Sequence, residues 1–528
     1  MRLFAALLFA IVLAGSARAE SVLRVAMTLA DLPTTTGSPD QGTEGVRFMG
    51  FTLYDPLVGW DLSHADRPAT LRPMLATSWE VDPADQQRWV FHLRPGVKFH
   101  DGSAFNAQAV VWNLDKLLNR ASPQFDQAQS AQDLSRIPTV KSYKVIDDLT
   151  VEIRTEGPDA LLLYGLSWIL MSSPQAWEQA GHSWAEVAKH PAGTGPWILE
   201  QLVPRQQATL RRNAAYWDSA RIPASDKLIL RPVPDPATRT AALLSGEVDY
   251  IESPAPDTLP RLRAAGMNVV TGPMPHSWPY TPARTPGSPF NDIRVRKAIN
   301  LAIDREGLVA LLGGLARPAR GVVQPESPWF GKPEFVPHYD PEAAKRLLAE
   351  AGYGPQHPLK LKFLISPSGS GQMVPLPMNE FVQQNLADIG VELSFEVVEW
   401  QVLRSRRDAG GAAGPSNRGI DALNNSWNSM DPLGAFLRHV DSRAIPPAGL
   451  NWGGINDPVL DGLVDQVKVE FDPTRQDALL ARIHERMVDQ AMWIFVVHDV
   501  NPRVLSPRVR GFVEAQSWFV DFSPIEVR

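Results

Sequence analysis

The chain has 528 residues, a formal net charge of −7, 44% hydrophobic and 21% charged residues, and no cysteine. That length exceeds what one hydrophobic core supports, so two or more domains are expected in an ordinary soluble chain. The acidic balance gives no electrostatic footprint for nucleic acid, and the missing cysteines exclude disulfides, thiol nucleophiles and Cys-ligated metals.

Residues 1–19 carry Arg2, an apolar run over 3–14 and the small-residue pattern Ala17-Arg18-Ala19. This reads as a secretory signal peptide cleaved before Glu20, because the apolar run is too short to span a bilayer. With no cysteine to lipidate, the mature protein is expected to be free, not a lipoprotein, and periplasmic. The loop over 31–45 is rich in Pro, Gly and Thr and precedes a short helix ending near Tyr54-Asp55-Pro56.

Residues 71–118 hold the densest pattern. Aromatic and β-branched runs at 78–81 and 88–93 flank Asp82-Pro83-Ala84-Asp85, which predicts a hairpin. Two turns follow, and Asn106 stands as N-cap ahead of Val110, Leu114, Leu117 and Leu118 at helical spacing. A second hairpin is predicted at 143–146 and 150–154 around Asp147-Asp148.

Gly193-Thr194-Gly195-Pro196 predicts a sharp turn, read as a strand entry in preference to an anion cradle. The order strand 228–233, helix 236–244, strand 248–251 predicts an α/β unit with a parallel pair. Six prolines within 272–289 argue against both helix and central strand, so this segment is expected to connect domains, with Trp278 and Tyr280 on a loop. Residues 291–303 predict an amphipathic helix, and 359–365, 380–389 and 391–398 a second β–α–β run with its own sheet. The glycine-rich segment 409–419 is expected to be mobile.

No enzyme signature stands. Ser370 lacks the first glycine of a nucleophile elbow, and His484-Glu485 is followed by Val488 where a zinc protease needs histidine. No catalytic, metal or cofactor site is therefore assigned. A binding protein needs a cleft with aromatic walls and a few placed polar groups. Loop residues Trp427, Asn428, Ser429, Asp431, Trp452, Trp278, Tyr280 and Thr36 are the candidates.

The sequence resembles the dipeptide/oligopeptide/nickel-binding family of bacterial extracellular solute-binding proteins. The resemblance is carried by Leu75-Ala76, Ser78-Trp79-Glu80, Trp89, Phe91, 93–94, 96–102 and Val110 to Asp115, and by stretches such as Asn213-x-x-Tyr216-Trp217 across nearly the whole mature chain. It implies a two-lobed α/β periplasmic binding protein fold with mixed sheets and a ligand cleft between the lobes. Lobe I would span 20–272 with an inserted subdomain near 56–190, lobe II 273–497, and 498–528 would return to lobe I. It also implies hinge closure on a small-molecule or peptide ligand, delivery to an ABC permease in the inner membrane, and a monomer, with few charges at the ligand. The loop over 31–45 that precedes the Tyr54 helix would reach into the cleft, and the loop after 422–427 would line it. Peptide-binding relatives carry an acid between this tryptophan and the Asp-Pro pair. Here only Asn428, Ser429 and Met430 intervene, with Asp431 as substitute or turn former, and 366–378 lacks their carboxylate-binding arginine. A plain dipeptide is thus disfavoured against a longer or modified peptide, an opine-like conjugate, glutathione or a chelated metal. The alternative functions are an exported hydrolase of peptides or glycans, marked by product formation, and a chaperone-like role, marked by binding to unfolded protein alone.

Overall fold

The computed structural model describes residues 20–528; the signal-peptide reading of 1–19 lies outside the described residues. Three sheets organise the chain. The first runs Asn268–Val270, Arg503–Leu505, Tyr250–Glu252, Val22–Met27, Lys227–Pro232, Gln207–Arg212, Trp197–Val203. Val22–Met27 is central because Leu23, Val25 and Met27 are fully buried. It pairs in parallel with both Lys227–Pro232 and Tyr250–Glu252, so the two strands of the predicted α/β unit are parallel with a third between them. Arg503–Leu505 brings the C-terminal chain back into this sheet.

A four-stranded antiparallel sheet, Ala76–Asp82, Asp85–Leu93, Thr150–Thr155 and Val140–Asp147, contains both predicted hairpins. Helix Ala107–Leu118 lays Val110, Leu114 and Leu117 on Phe91, Val151 and Ile153. Its N-terminus is capped as the sequence indicates, with Asn106 Oδ1 accepting from Ala109 N at 3.0 Å.

Asp55 is the knot of the first lobe. Its carboxylate accepts from Thr194 Oγ1 at 2.9 Å, Tyr216 OH at 2.9 Å and Trp217 Nε1 at 2.8 Å. Three motifs far apart in the chain thus meet at one buried acid. The Gly193–Gly195 turn is a strand entry, and its glycines are needed for close approach. A Cβ on Gly193 would sit 2.0 Å from Leu53 O.

The second lobe is built on Ala316–Pro318, Ile494–Asp499, His276–Pro282, Ala422–Asn424, Leu359–Ile365 and Val391–Val397. Here the sequence reading of 272–289 is corrected: His276–Pro282 is an interior strand, and Trp278 and Tyr280 are core residues with no exposure. Proline density is tolerated because Pro279 sits at a register shift in the pairing with Ile494–Asp499, where no ladder donor is required. Its carbonyl is satisfied by Asn424 Nδ2 at 3.0 Å. The segment 409–419 is also tied down. Ala412 N donates to Trp452 O at 2.7 Å, and Asn417 Nδ2 donates to Arg406 O and Gly411 O, each at 2.8 Å.

The chain crosses between the lobes beside His276 and Asp499. Gly272 N donates to Val500 O at 2.9 Å and Asp499 N to His276 Nδ1 at 3.1 Å, so the two crossings are fastened to each other. Behind them Glu252 accepts from Arg47, from Tyr250 OH at 2.7 Å and from Arg503 Nε at 3.4 Å, a buried ionic cluster.

Candidate functional site

A cavity of about 500 Å³ lies between the lobes. The first lobe supplies Gly42 and Val46, the helix Gln127–Asp133 with the turn Leu134–Arg136 that follows it, and Trp168. From the second lobe come helix Trp400–Asp408, the segment Asn425 to Asn428, and Arg438. Trp400, Arg404 and Arg407 stand at i, i+4 and i+7 and so share one helix face, the one turned to the cavity. Glu399 caps this helix, its Oε2 accepting from Gln401 N at 2.7 Å. Gly369, at φ +131°, lies flat on the Trp400 indole; a Cβ there would meet Trp400 Cδ2 at 2.3 Å.

Charge dominates the walls. Five arginines line the cavity (Arg120, Arg136, Arg404, Arg407, Arg438) against two aspartates, Asp133 and Asp408. Burial, with repulsion from neighbouring guanidiniums, pulls Arg404 down to about 10 and Arg438 to about 9, and lowers Arg136. Arg404 and Arg438 stay charged at neutral pH. Arg136 lies over the Trp168 ring at 3.5 Å. Arg407 chelates Asp408 at 2.6 and 2.9 Å; burial opposes ionisation of this carboxyl, but the surrounding arginines hold it below its usual range. The cavity wall therefore carries more charge than the few charges expected at the ligand.

The lobes touch across this space. Arg404 Nη2 donates to Gln132 Oε1 at 2.8 Å, and Arg438 Nη2 donates to Ser135 Oγ. Nearby, Glu44 N donates to Ser370 Oγ at 3.2 Å and Gly371 N to Glu44 Oε1 at 3.1 Å. The described arrangement is a closed one.

Residues 70–436 match the family model of bacterial extracellular solute-binding proteins, family 5. The chain belongs to this family. This solute-binding protein is 27% identical over 549 aligned residues to a di/tripeptide-binding protein of Pseudomonas aeruginosa, covering 100% of both chains. It is 28% identical over 503 residues to the heme-binding protein A of Haemophilus influenzae, covering 90% of this chain and 87% of the relative. In three dimensions it resembles the periplasmic binding protein DppA of Helicobacter pylori, solved with the peptide STSA, with a TM-score of 0.82, 23% identity and coverage of 96% and 98%. That likeness shows the two-lobed periplasmic binding protein fold.

The eight sequence candidates separate. Trp427 and Asn428 line the cavity of this solute-binding protein, on a short strand paired with His276 and Ser277. Trp427 is pressed against His439, ring centres 4.4 Å apart. Ser429 is drawn off the wall, its N–H donating to Pro275 O at 2.8 Å. Asp431 is a turn former: its Oδ1 accepts from Gly434 N at 2.6 Å, and burial raises its carboxyl. Trp452 is 1% exposed and packs with Leu364, Trp400 and Leu423 in a core cluster, behind Trp400 and outside the cavity wall. Trp278 and Tyr280 are likewise core, with Tyr280 OH donating to Asn379 Oδ1 at 2.7 Å. Thr36 is half-buried in its loop, two residues before Ser38, where the cavity wall begins. The arginines escaped the sequence reading. Their only local signal was Trp400, Arg404 and Arg407 on one helix face, and nothing in the sequence joins Arg136 or Arg438 to it.

Proposed function

We propose that this protein captures a peptide-like or related small solute in the periplasm and delivers it to the permease of an ABC importer, by closure of two lobes and without catalysis. The observation that carries this reading is the cavity itself: its walls come from both lobes, and Arg404 bonds Gln132 across it at 2.8 Å, so closing the lobes completes the site. The relatives named above, one for di/tripeptides and one for heme, support a role in binding. The protein acts as a monomer freed of its signal peptide, with no lipid anchor and no nucleic-acid partner.

The test is binding to the refolded, ligand-free mature protein by calorimetry and thermal shift, using di- and tripeptides, glutathione, opines and nickel–histidine. Saturable one-to-one binding is expected, stabilising the fold by about 3 kcal/mol when the ligand is at a hundred times its Kd. Mass spectrometry should recover the ligand unchanged. A hydrolysed ligand would favour the exported hydrolase, and absence of any binding would remove the importer role.

A further inference from the structure

We infer that the solute taken by this cavity carries two or more anionic groups, carboxylate or phosphate, on an apolar body, and is not a zwitterionic peptide. The inference rests on the proposed binding role and deepens it.

The argument is a charge balance at the wall. Arg136, Arg404, Arg407 and Arg438 converge closely enough to repel one another through the site, and Arg120 stands exposed at its edge. Only part of this donor capacity is used. Arg404 has one bond to a neutral amide and Arg438 one to a hydroxyl, while the buried Nε atoms of Arg136 and Arg438 make no hydrogen bond, Arg136 Nε having only the 3.9 Å approach of Asp133. Half-buried guanidiniums so under-used are costly unless an anion completes them. Arg404 and Arg438 come from the second lobe and Arg136 from the first, so two anionic groups would be gripped from both sides.

The acids are meanwhile engaged. Asp133 accepts from Ser38 Oγ and faces Arg136 at 3.9 Å. Asp408 is chelated by Arg407. Asp431 holds Gly434 N at 2.6 Å, and Asp40, behind Arg404, holds Thr34 N at 2.9 Å. Each of these acids is thus already held by a donor of the protein, and against five arginines the balance at the wall favours an anionic solute over the α-ammonium of a peptide. Trp168, Trp400, Trp427 and Trp518 supply the apolar surface for the rest of the solute.

The test is calorimetric titration of the mature protein with tricarballylate and EDTA for carboxylates, pyrophosphate for phosphates, and dialanine and trialanine as zwitterions. At least one polyanion is expected to bind ten or more times more tightly than either peptide, and more weakly as salt rises. Arg404→Gln and Arg438→Gln, each checked for an unchanged melting curve without ligand, should each weaken that polyanion by about tenfold or more, as loss of one partner in a desolvated charge pair does. The carboxylate and phosphate arms separate the two anion chemistries. Tighter binding of an alanine peptide, or polyanion binding indifferent to both substitutions, overturns the charge assignment while leaving the binding role standing. Binding by no member of this panel or of the peptide and opine panel above overturns both.

Discussion

Arg404 of the second lobe donates to Gln132 of the first at 2.8 Å, and the pair closes the cavity on the side where Arg438 reaches Ser135. Part-buried polar bonds of this kind contribute about 1 kcal/mol each, so they bias the closed arrangement without locking it. Replacing Gln132 and Ser135 together by alanine is expected to shift the free protein toward the open form. Small-angle scattering should report a larger radius of gyration, and ligand affinity should fall about three- to tenfold as the closed population drops. The unfolding midpoint should barely move, because neither side chain supports a core.

Asp55 is the opposite case, a bond network that holds the fold. Its carboxylate takes donors from Thr194, Tyr216 and Trp217 and is 2% exposed. Asp55→Ala would orphan all three donors in the interior and should cost about 3–5 kcal/mol in urea denaturation. Asp55→Asn keeps one acceptor oxygen and should cost less. Ligand affinity of the folded fraction should be unchanged, since Asp55 is not part of the cavity wall.

Asp55 also shows what the chain made legible. The motifs that surround it were each visible, Tyr54-Asp55-Pro56 as a helix end, Gly193 to Pro196 as a turn and Tyr216-Trp217 as a family stretch, yet nothing local says that they share one carboxylate. The hairpins at 76–93 and 140–155 and the Asn106 cap follow from alternation and capping, which act within a few residues. The strand at His276–Pro282 was hidden because proline's missing N–H is a penalty only where the ladder wants it, and the ladder here shifts at Pro279. Trp278 and Trp452 were misplaced for a related reason: an aromatic in a Pro- or Gly-rich segment is exposed only if no second layer covers it, and here each is covered. The cavity arginines come from four separate segments, so their convergence is a property of the fold alone.

His484, which opens the failed zinc-protease match, has a structural use. Its Nδ1–H donates to Phe330 O at 2.7 Å and its Nε2 accepts from Val322 N at 3.0 Å, while burial pushes its pKa down to about 4. The ring is thus neutral and fixed at both nitrogens. A Cβ on Gly321 would lie 2.1 Å from Nε2, and a ring held at both ends cannot swing aside. Gly321→Ala is therefore expected to destabilise the second lobe by about 2–4 kcal/mol, through overpacking plus a lost buried bond. Denaturant unfolding checks the value.

The lobe crossing carries a pH signature. Burial pushes Asp499 up to about 7, and the nearby Glu252 charge adds to that, while Asn501 N, donating to Asp499 Oδ1 at 2.8 Å, and Arg503 pull the other way. The unfolded carboxyl titrates near 3.8. Between roughly pH 4 and 7 the folded protein therefore holds a proton that the unfolded chain has released. Stability from this group is then fullest below pH 4, falls as pH rises through that window, and levels off above 7. The decline attributable to Asp499 is on the order of 4 kcal/mol, from the three-unit difference at 1.36 kcal/mol per unit. Asp499→Asn keeps an acceptor for Asn501 N and removes the titration. Urea denaturation between pH 4.5 and 7.5 should show a flatter profile for this variant, which gains on the parent as pH rises. An unchanged slope would mean that Asp499 is ionised throughout, with Arg503 as its counter-charge.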